Sequence, residues 1–296
     1  MHRPVLLKEA IEYLNLKEGD VAVDATVDGG GHAKDILNKI GKNGKLIGID
    51  QDADMIEKLD LGENAILING NFRDLDKLVS ASSADKVDAI LFDLGISSLQ
   101  LEDSGRGFSF QKDEPLLMTL KQNLQPGDLT AQEIINNWSE KEIADLIFKY
   151  GEERYSRRIA RGIAEKRGAS PILTTGELIE IIRLNVPRNY RNSRTINCAT
   201  RTFQAIRIAV NDELGALERG LETGWKILKN NGRMVVISFH SLEDRIVKNF
   251  YKNKNSTGEG KILTKKPITP SWEEKKINPR SRSAKLRAIE KNDKTV

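Results

Sequence analysis

Three consecutive glycines and a later aspartate mark the segment best suited to bind a nucleoside cofactor. Gly29 to Gly31 follow an apolar run, Val21 to Val27, and precede the amphipathic segment Ala33 to Ile40. Glycines at such a junction let a ligand approach the backbone, and the helix start offers unpaired N–H groups. Asp50 ends a second apolar run, where a carboxylate can accept hydrogen bonds from both hydroxyls of a ribose. The pattern predicts a nucleoside-cofactor site.

The glycine spacing favours S-adenosylmethionine over a dinucleotide. The dinucleotide fingerprint is G-x-G-x-x-G, whereas here the glycines are contiguous and His32 follows them directly. An S-adenosylmethionine site uses the same strand and turn but has no pyrophosphate to hold, so it tolerates another glycine pattern. A glycine-rich turn without a ligand remains the alternative at this point.

Composition indicates a folded protein outside the membrane. The chain has 296 residues, of which 39% are apolar and 30% are charged. No apolar run approaches the length of a membrane span, and Lys8 and Glu9 interrupt the N-terminus before a signal-peptide core can form. These features predict a cytoplasmic location. The single cysteine, Cys198, excludes an internal disulfide, and three scattered histidines predict no metal site.

Basic residues are concentrated in two segments. Residues 245–296 contain 15 Lys/Arg and 5 Asp/Glu, a balance of +10, so the net charge of +4 leaves −6 for residues 1–244. Residues 150–207 contain 12 Lys/Arg and 5 Glu. Such segments suit phosphate binding, with a solvated helix face and a basic tail as the alternative.

Alternation of apolar strands and amphipathic segments predicts an α/β fold with a mostly parallel sheet. The predicted strands are Val21–Thr26, Lys45–Asp50, Ala65–Asn69, Val87–Asp93 and Arg233–Phe239. Two further strand-like pieces, Lys261–Lys266 and Ala284–Glu290, predict an antiparallel C-terminal hairpin. Together with the glycine turn that favours S-adenosylmethionine, these seven strands predict a Rossmann-like methyltransferase domain.

A helical insertion separates the fourth and fifth strands. Thr130 and Ser139 each begin an N-cap pattern, a long helix or helix pair is predicted over Phe203–Leu228, and a turn over Lys229–Gly232. We therefore predict a cofactor-binding domain of residues 1–104 and 203–296, with an inserted helical substrate-recognition domain of residues 105–202.

Asp93 ends the fourth strand, and the carboxyl ends of strands in open α/β sheets are where ligands bind. This places Asp93 at the cleft, with a capping role as the alternative.

Eight ordered segments resemble one family, the bacterial small-subunit ribosomal RNA methyltransferase H family. They are His2–Leu7, Asp24–Thr26 with Gly29–His32, Asp93–Leu101, Arg106–Phe110, Tyr150–Arg154, Ala199–Arg207, Ile237–Arg245 and Asn278–Ser283. The resemblance implies methyl transfer from S-adenosylmethionine to the exocyclic N4 of a cytosine in the decoding centre of 16S ribosomal RNA, so that the partner is this RNA or the small ribosomal subunit.

The same resemblance implies which residues line the cofactor pocket. They are Gly30, Gly31, His32, Asp50, Phe72, Asp93 and Gln100. Two alternatives stay open: Phe72 packs in the core instead of flanking adenine, and His32 faces solvent at the helix start.

The amino nitrogen of cytosine is a poor nucleophile because its lone pair is delocalised into the ring. Hydrogen-bond acceptors aimed at the amino hydrogens, together with in-line placement of the methyl group, would offset this. Asp93 and Ser97 are the candidate catalytic residues. No covalent intermediate is required, so we expect Cys198 to be a small buried residue.

RNA binding needs basic channels and platforms on which bases stack. Phe108 beside Arg106 is a candidate platform, with a buried anchor as the alternative. The candidate phosphate contacts are Arg154, Arg158, Arg201, Arg207, Arg280 and Arg282.

Three positions depart from the family pattern: Leu117 and Thr119 replace an acid and an arginine, and Asp28 stands where glycine is common. Leu117 and Thr119 keep a second function open, a non-catalytic protein that binds ribosomal RNA during subunit assembly. A DNA amino-methyltransferase is a third alternative, disfavoured because the segment that ends the fourth strand lacks the Pro-Pro-aromatic sequence typical of those enzymes. The pattern does not choose between a monomer and a homodimer.

Overall fold

A computed structural model describes residues 4–97, 100–101, 104–192 and 197–293. The motif residues His2, Arg3, Ser98 and Leu99 lie outside them. The chain divides into a sheet unit, residues 1–95 and 214–296, and a helical unit, residues 96–213. The helical unit is wider at both ends than the predicted insertion of residues 105–202.

The sheet unit contains seven strands. They are β1 (Val21–Asp24), β2 (Lys45–Asp50), β3 (Ala65–Asn69), β4 (Val87–Asp93), β5 (Leu228–Ser238), β6 (Gly260–Ile262) and β7 (Lys285–Lys291). Their order is β3-β2-β1-β4-β5-β7-β6. The first five are parallel, whereas β7 is antiparallel to both β5 and β6. The predicted α/β fold with a seven-stranded, mostly parallel sheet and an antiparallel C-terminal pair is confirmed.

Helices are numbered in chain order. The sheet unit has α1 (Leu7–Leu14), α2 (Gly31–Ile40), α3 (Ala53–Glu57), α4 (Leu75–Ala81), α11 (Glu213–Ile227, whose first residue belongs to the helical unit), α12 (Ser241–Ser256) and α13 (Trp272–Ile277). The helical unit has α5 (Ala131–Asn137), α6 (Glu140–Gly151), α7 (Ser156–Arg167), α8 (Thr175–Asn185), α9 (Arg188–Arg191) and α10 (Thr200–Asn211).

Alternate residues of each strand supply two cores on opposite faces of the sheet, as the pleat requires. In β4, Ile90 and Phe92 belong to the core that includes α4, α11 and α12. Ala89 and Leu91 belong to the core that includes α1 and α2. Because both faces are covered, the ends of the parallel strands are the part of the sheet left for ligands.

The helical unit has its own apolar core, supplied by α5 to α8 and α10. The predicted N-caps are confirmed: the hydroxyl of Thr130 accepts from Glu133, and Ser139 forms a capping box with Glu142. A Cβ at Gly151 would lie 2.5 Å from the carbonyl oxygen of Arg201, so glycine permits the close packing of α6 on α10.

Of the two alternatives predicted over Phe203–Leu228, the structure has the helix pair, because Asp212 adopts a left-handed conformation with φ of 47°. Two other details differ from the sequence prediction. Residues 229–232 are not a turn before β5 but an irregularity inside it, where partners shift from Val87 to Ala89. β6 ends at Ile262, four residues before the predicted end. Among the described residues, no helix combines the length and apolar character that a membrane crossing needs.

Candidate active site

Three aspartates meet at one edge of the sheet. Asp24, Asp50 and Asp93 are the last residues of β1, β2 and β4, three strands that are neighbours and parallel. The carboxyl ends of neighbouring parallel strands lie together. The predicted positions of Asp50 and Asp93 at strand ends are confirmed, and the structure adds Asp24 between them.

The glycine turn leads from β1 into α2. Gly30 precedes the helix with φ of 74°, a left-handed conformation that favours glycine, and no side chain caps α2 there. A Cβ at Gly31 would lie 3.0 Å from the ring of Pro4. The turn therefore needs glycine at both positions, and it leaves the first N–H groups of α2 uncapped by a side chain, as a ligand cradle requires.

Asp50 is fixed by two backbone donors. Its Oδ2 accepts from the N–H of Asp28 at 3.0 Å, and its Oδ1 accepts from the N–H of Asp52 at 2.9 Å. Burial raises the pKa of Asp50 to about 7, and the carboxylates of Asp28 and Asp52 act in the same direction. Each oxygen retains a lone pair for a further donor such as a ribose hydroxyl.

Asp24 is buried beside the same group of acids. Its side chain is 1% exposed, and burial raises its pKa to about 7, with Asp28 and Asp50 adding to the effect. Asp28 itself adopts a left-handed conformation with φ of 46°, where a non-glycine residue is strained. The pocket thus concentrates negative charge that water solvates poorly, a property that suits a cationic ligand.

The side chains of Asp93 and His32 face each other in the site. Nε2 of His32 lies 3.1 Å from the carbonyl oxygen of Val5, which can only accept, so Nε2 carries a proton. Nδ1 of His32 faces Oδ2 of Asp93 at 3.4 Å. His32 is buried, contrary to the solvent-facing alternative, and the pair can share a proton between Nδ1 and Oδ2.

Among the acids of the site, Asp93 has the most strongly raised pKa. Burial raises its pKa well above the usual value, and the nearby carboxylates of Asp24, Asp28 and Glu243 raise it further. Its backbone N–H donates to the hydroxyl of Thr26 at 2.7 Å. Its Oδ1 is buried and has no hydrogen-bond partner within the described ranges. Such an atom is costly unless something binds it, which makes Oδ1 the clearest candidate for contact with a reacting group.

Phe72 lies at the start of the turn after β3. Its ring is 9% exposed and packs edge-to-face on Phe92 with 5.6 Å between centroids. A Cβ at Gly220 would lie 2.7 Å from this ring. Most of the ring is therefore core, and its contact with adenine stays a prediction.

Ser97 and Gln100 belong to the helical unit and hold each other. The N–H of Ser97 donates to Oε1 of Gln100 at 2.9 Å, and the N–H of Gln100 donates to the hydroxyl of Ser97 at 3.0 Å. This is the reciprocal arrangement of a capping box. It gives both side chains a structural role, and their catalytic and cofactor-binding roles stay predictions.

The predicted RNA contacts fall into three environments. Arg154, Arg158, Arg280 and Arg282 are exposed. Arg106 and Arg201 donate to the carbonyl oxygens of Leu120 and Glu152. Arg207 donates to both carboxylate oxygens of Glu213, at 2.7 and 2.9 Å, so its charge is compensated inside the helical unit.

Phe108 is 5% exposed and belongs to the core of the helical unit, so the buried-anchor alternative describes its ring. Cys198 is also buried, as expected, and burial raises the pKa of its thiol. A raised thiol pKa disfavours a nucleophilic role.

Sequence reasoning missed Thr26, Tyr155 and Tyr190. The position of Thr26, two residues beyond β1, is a signal that could have been used. Tyr155 and Tyr190 stack edge-to-face under Arg154, but they are 35 positions apart in the chain, so only the fold brings them together.

Comparison with known proteins assigns the chain to a family. Curated relatives named "Ribosomal RNA small subunit methyltransferase H" include one from Clostridium botulinum (strain 657 / Type Ba4), 48% identical over 98% of both chains. Another, from Kosmotoga olearia, is 46% identical over 98% of this chain and 97% of the relative. A solved structure, SMU.1697c from Streptococcus mutans in complex with SAH, covers 98% of this chain and 99% of its own at 12% identity, with a TM-score of 0.44, a similarity too low to support inference about the site. The family model described as "MraW methylase family" matches residues 1–292, and the chain belongs to this family of methyltransferases.

Proposed function

We propose that this protein transfers a methyl group from S-adenosylmethionine to the exocyclic N4 of a cytosine in the decoding centre of 16S ribosomal RNA. Membership of a methylase family and the names of its relatives support the reaction class and the RNA. The observation that carries the proposal is Asp93 at the end of β4, with a buried carboxyl oxygen that has no partner among the described residues.

The sheet unit fits S-adenosylmethionine by the chemistry of its donor set. The cofactor carries a sulfonium and an ammonium group. Burial, and then nearby carboxylates that include Asp28, raises the pKa of Asp24, Asp50 and Asp93 in a way that a cation would relieve. Gly30 and Gly31 would face the methionine end through the uncapped start of α2. Asp50 would accept from the ribose hydroxyls.

The reaction needs little beyond placement and a proton acceptor. When bound, the cofactor supplies a methyl group whose C–S bond breaks as the N4–C bond forms, and N4 then releases one proton. Ionised Asp93 accepts a hydrogen bond from the amino group, which favours the pyramidal, nucleophilic nitrogen, and then takes the released proton. Nδ1 of His32 would donate to the ionised carboxylate of Asp93 when the imidazole carries both protons. Ser97 is the second candidate acceptor.

The test uses methyl-labelled S-adenosylmethionine with three substrates: small ribosomal subunits, naked 16S RNA and duplex DNA. We expect label in ribosomal RNA, in a nucleoside identified as N4-methylcytidine by mass spectrometry. Label in DNA alone would show a DNA amino-methyltransferase. RNA binding without label anywhere would show a non-catalytic assembly protein.

Nucleoside analysis of 16S RNA from cells that lack the protein provides the matching observation in the cell. We expect the decoding-centre cytosine to lose its N4 methyl group and to regain it when the wild-type gene is restored. A gene that encodes the Asp93→Asn variant is the control that should fail to restore it. A ribosomal substrate also agrees with the cytoplasmic location predicted from the sequence.

A further inference from the structure

Arg154, two residues before α7, lies in an unusual setting. The guanidinium carbon of Arg154 lies 4.8 Å from the ring centroid of Tyr155 and 5.3 Å from that of Tyr190. The two rings are themselves stacked edge-to-face, with 5.0 Å between centroids. The planar cation is therefore supported by two aromatic rings at once.

A buried carboxylate holds this arrangement in place. Glu153 is fully buried; one oxygen accepts from the N–H of Tyr155 at 2.8 Å, and the other accepts from the hydroxyl of Tyr190. Burial, and then Glu153 itself, raises the pKa of Tyr190 to about 12, so the phenol stays protonated and keeps donating. The same side chain thus binds the backbone of Tyr155 and the hydroxyl of Tyr190, which fixes both residues beside each other.

Arg154 has its own donors unused. Its side chain is exposed, and in the part of the chain that the structure describes it makes no hydrogen bond or ion pair. Arg167 and Arg201, by contrast, donate to the carbonyl oxygens of Ile135 and Glu152. An arginine that is oriented by rings but not engaged by acceptors offers a flat face and five N–H groups to a ligand.

The surroundings favour an anion at this end of α7. The first turn of the helix carries Arg157 and Arg158 and no acid, although cations are unfavourable at a helix N-terminus. Farther along, Arg157, Arg158 and Arg161 line a groove of about 440 Å³ that also contains Glu140, Asp145 and its partner Lys141. Arg154 does not line this groove, so Glu140 and Asp145 do not offset its charge.

From this geometry we propose that Arg154, clamped by Tyr155 and Tyr190, is a binding site for single-stranded RNA, where a nucleobase stacks on the guanidinium and an adjacent phosphate accepts from it. The inference rests on the proposed RNA substrate. It adds a specific nucleotide-binding site in the helical unit. Planar arginine and aromatic surfaces are what single-stranded RNA binders use, because every base has a face that can stack.

The first test measures binding of an RNA fragment that contains the target cytosine to the full-length protein at several salt concentrations. We expect Arg154→Ala to weaken binding about tenfold and to reduce the slope of log K against log salt by roughly one. Arg154→Lys should restore the slope but not the affinity, because lysine keeps the charge and loses the planar face. The matched control is Arg161→Ala, which removes the same charge from the groove that contains Glu140 and Asp145 and should change affinity less than twofold.

The second test identifies the base. Each nucleotide near the target is replaced in turn by an abasic one, and binding is compared between the wild type and Arg154→Lys. We expect one position at which loss of the base weakens binding to the wild type several-fold but has no effect on the variant. If Arg154→Ala binds RNA as Arg161→Ala does, or if no position couples to residue 154, the proposal is wrong even where the RNA is still methylated. Absence of any methylated RNA would instead reject the proposed function.

Discussion

The pocket of the sheet unit buries carboxylates, whereas the helical unit exposes a group of arginines, Arg154 and the first three of α7. Asp24 and Asp50 have raised pKa values because burial removes water from their carboxylates. Arg154 and Arg158 lie exposed without an ion pair among the described residues. The two settings suit different ligands: a buried acidic pocket selects a small cation by desolvation, and an exposed basic surface binds a polyanion in a salt-dependent manner.

We expect the largest effect from a substitution of Asp93, in the acidic pocket of the sheet unit. Asp93→Asn keeps the size of the side chain but removes the proton acceptor, so we expect single-turnover methyl transfer to slow by about 10³-fold, or roughly 4 kcal/mol. In the wild type, the raised pKa means that the single-turnover rate rises with pH as Asp93 ionises. The variant should lose that rise. If the variant transferred the methyl group at the wild-type rate, Asp93 would have no part in the reaction.

The second prediction is that Asp24 makes the stability of the protein depend on pH. The pKa of Asp24 is about 7 in the folded protein and 3.8 ordinarily. Between these values the folded state binds more protons than the unfolded chain, so the free energy of unfolding falls as pH rises from about 4 to about 7 and then levels off. For Asp24 alone the difference corresponds to about 4 kcal/mol at most.

Denaturant titrations across this pH range would measure the slope. Asp24→Asn should flatten it and make the ligand-free protein more stable than the wild type at pH 8. Asp60→Asn, at an exposed site, is the control and should leave the slope unchanged. A wild type whose stability rises with pH over the same range would contradict this account of the pocket.

A smaller effect is expected at Asp50. Asp50→Asn retains one acceptor oxygen but loses the second and the charge, so we expect the Kd for S-adenosylmethionine to rise about tenfold, or ~1.4 kcal/mol. Calorimetry at pH 8 would measure this Kd, again with Asp60→Asn as the control. An unchanged Kd would place the ribose hydroxyls on other residues.

The sequence predicted most of the sheet unit, because its signals are local. β2, β3 and β4 have the predicted bounds, since each is an apolar run that ends at a polar residue. The strand-end positions of Asp50 and Asp93 follow from the same pattern. What the sequence did not predict depends on contacts between distant segments: the edge-to-face stack of Phe72 on Phe92, and the stack of Tyr155 on Tyr190.

The helical unit also shows what residue type alone does not reveal about an arginine. Arg207 lies in a basic segment and is predicted to contact phosphate. In the structure its side chain is 16% exposed and donates to both carboxylate oxygens of Glu213. A bidentate ion pair of this kind leaves little positive charge for contact with RNA. Periodicity along α10 contains no information about this partner, which lies at the start of the next helix.

We therefore expect Arg207→Ala to have the smallest effect on RNA binding, in contrast to Arg154→Ala. Loss of the partner leaves the half-buried carboxylate of Glu213 unpaired, so we expect the free energy of unfolding to fall by about 1 to 3 kcal/mol. The double variant Arg207→Ala with Glu213→Gln should recover part of that loss, because it removes the unpaired charge. Neither variant should change the salt dependence of RNA binding, whereas Arg154→Ala should lower it. A drop of about one in the salt slope for Arg207→Ala would show that RNA competes with Glu213 for this arginine, and that even paired arginines of the helical unit belong to the RNA-binding surface.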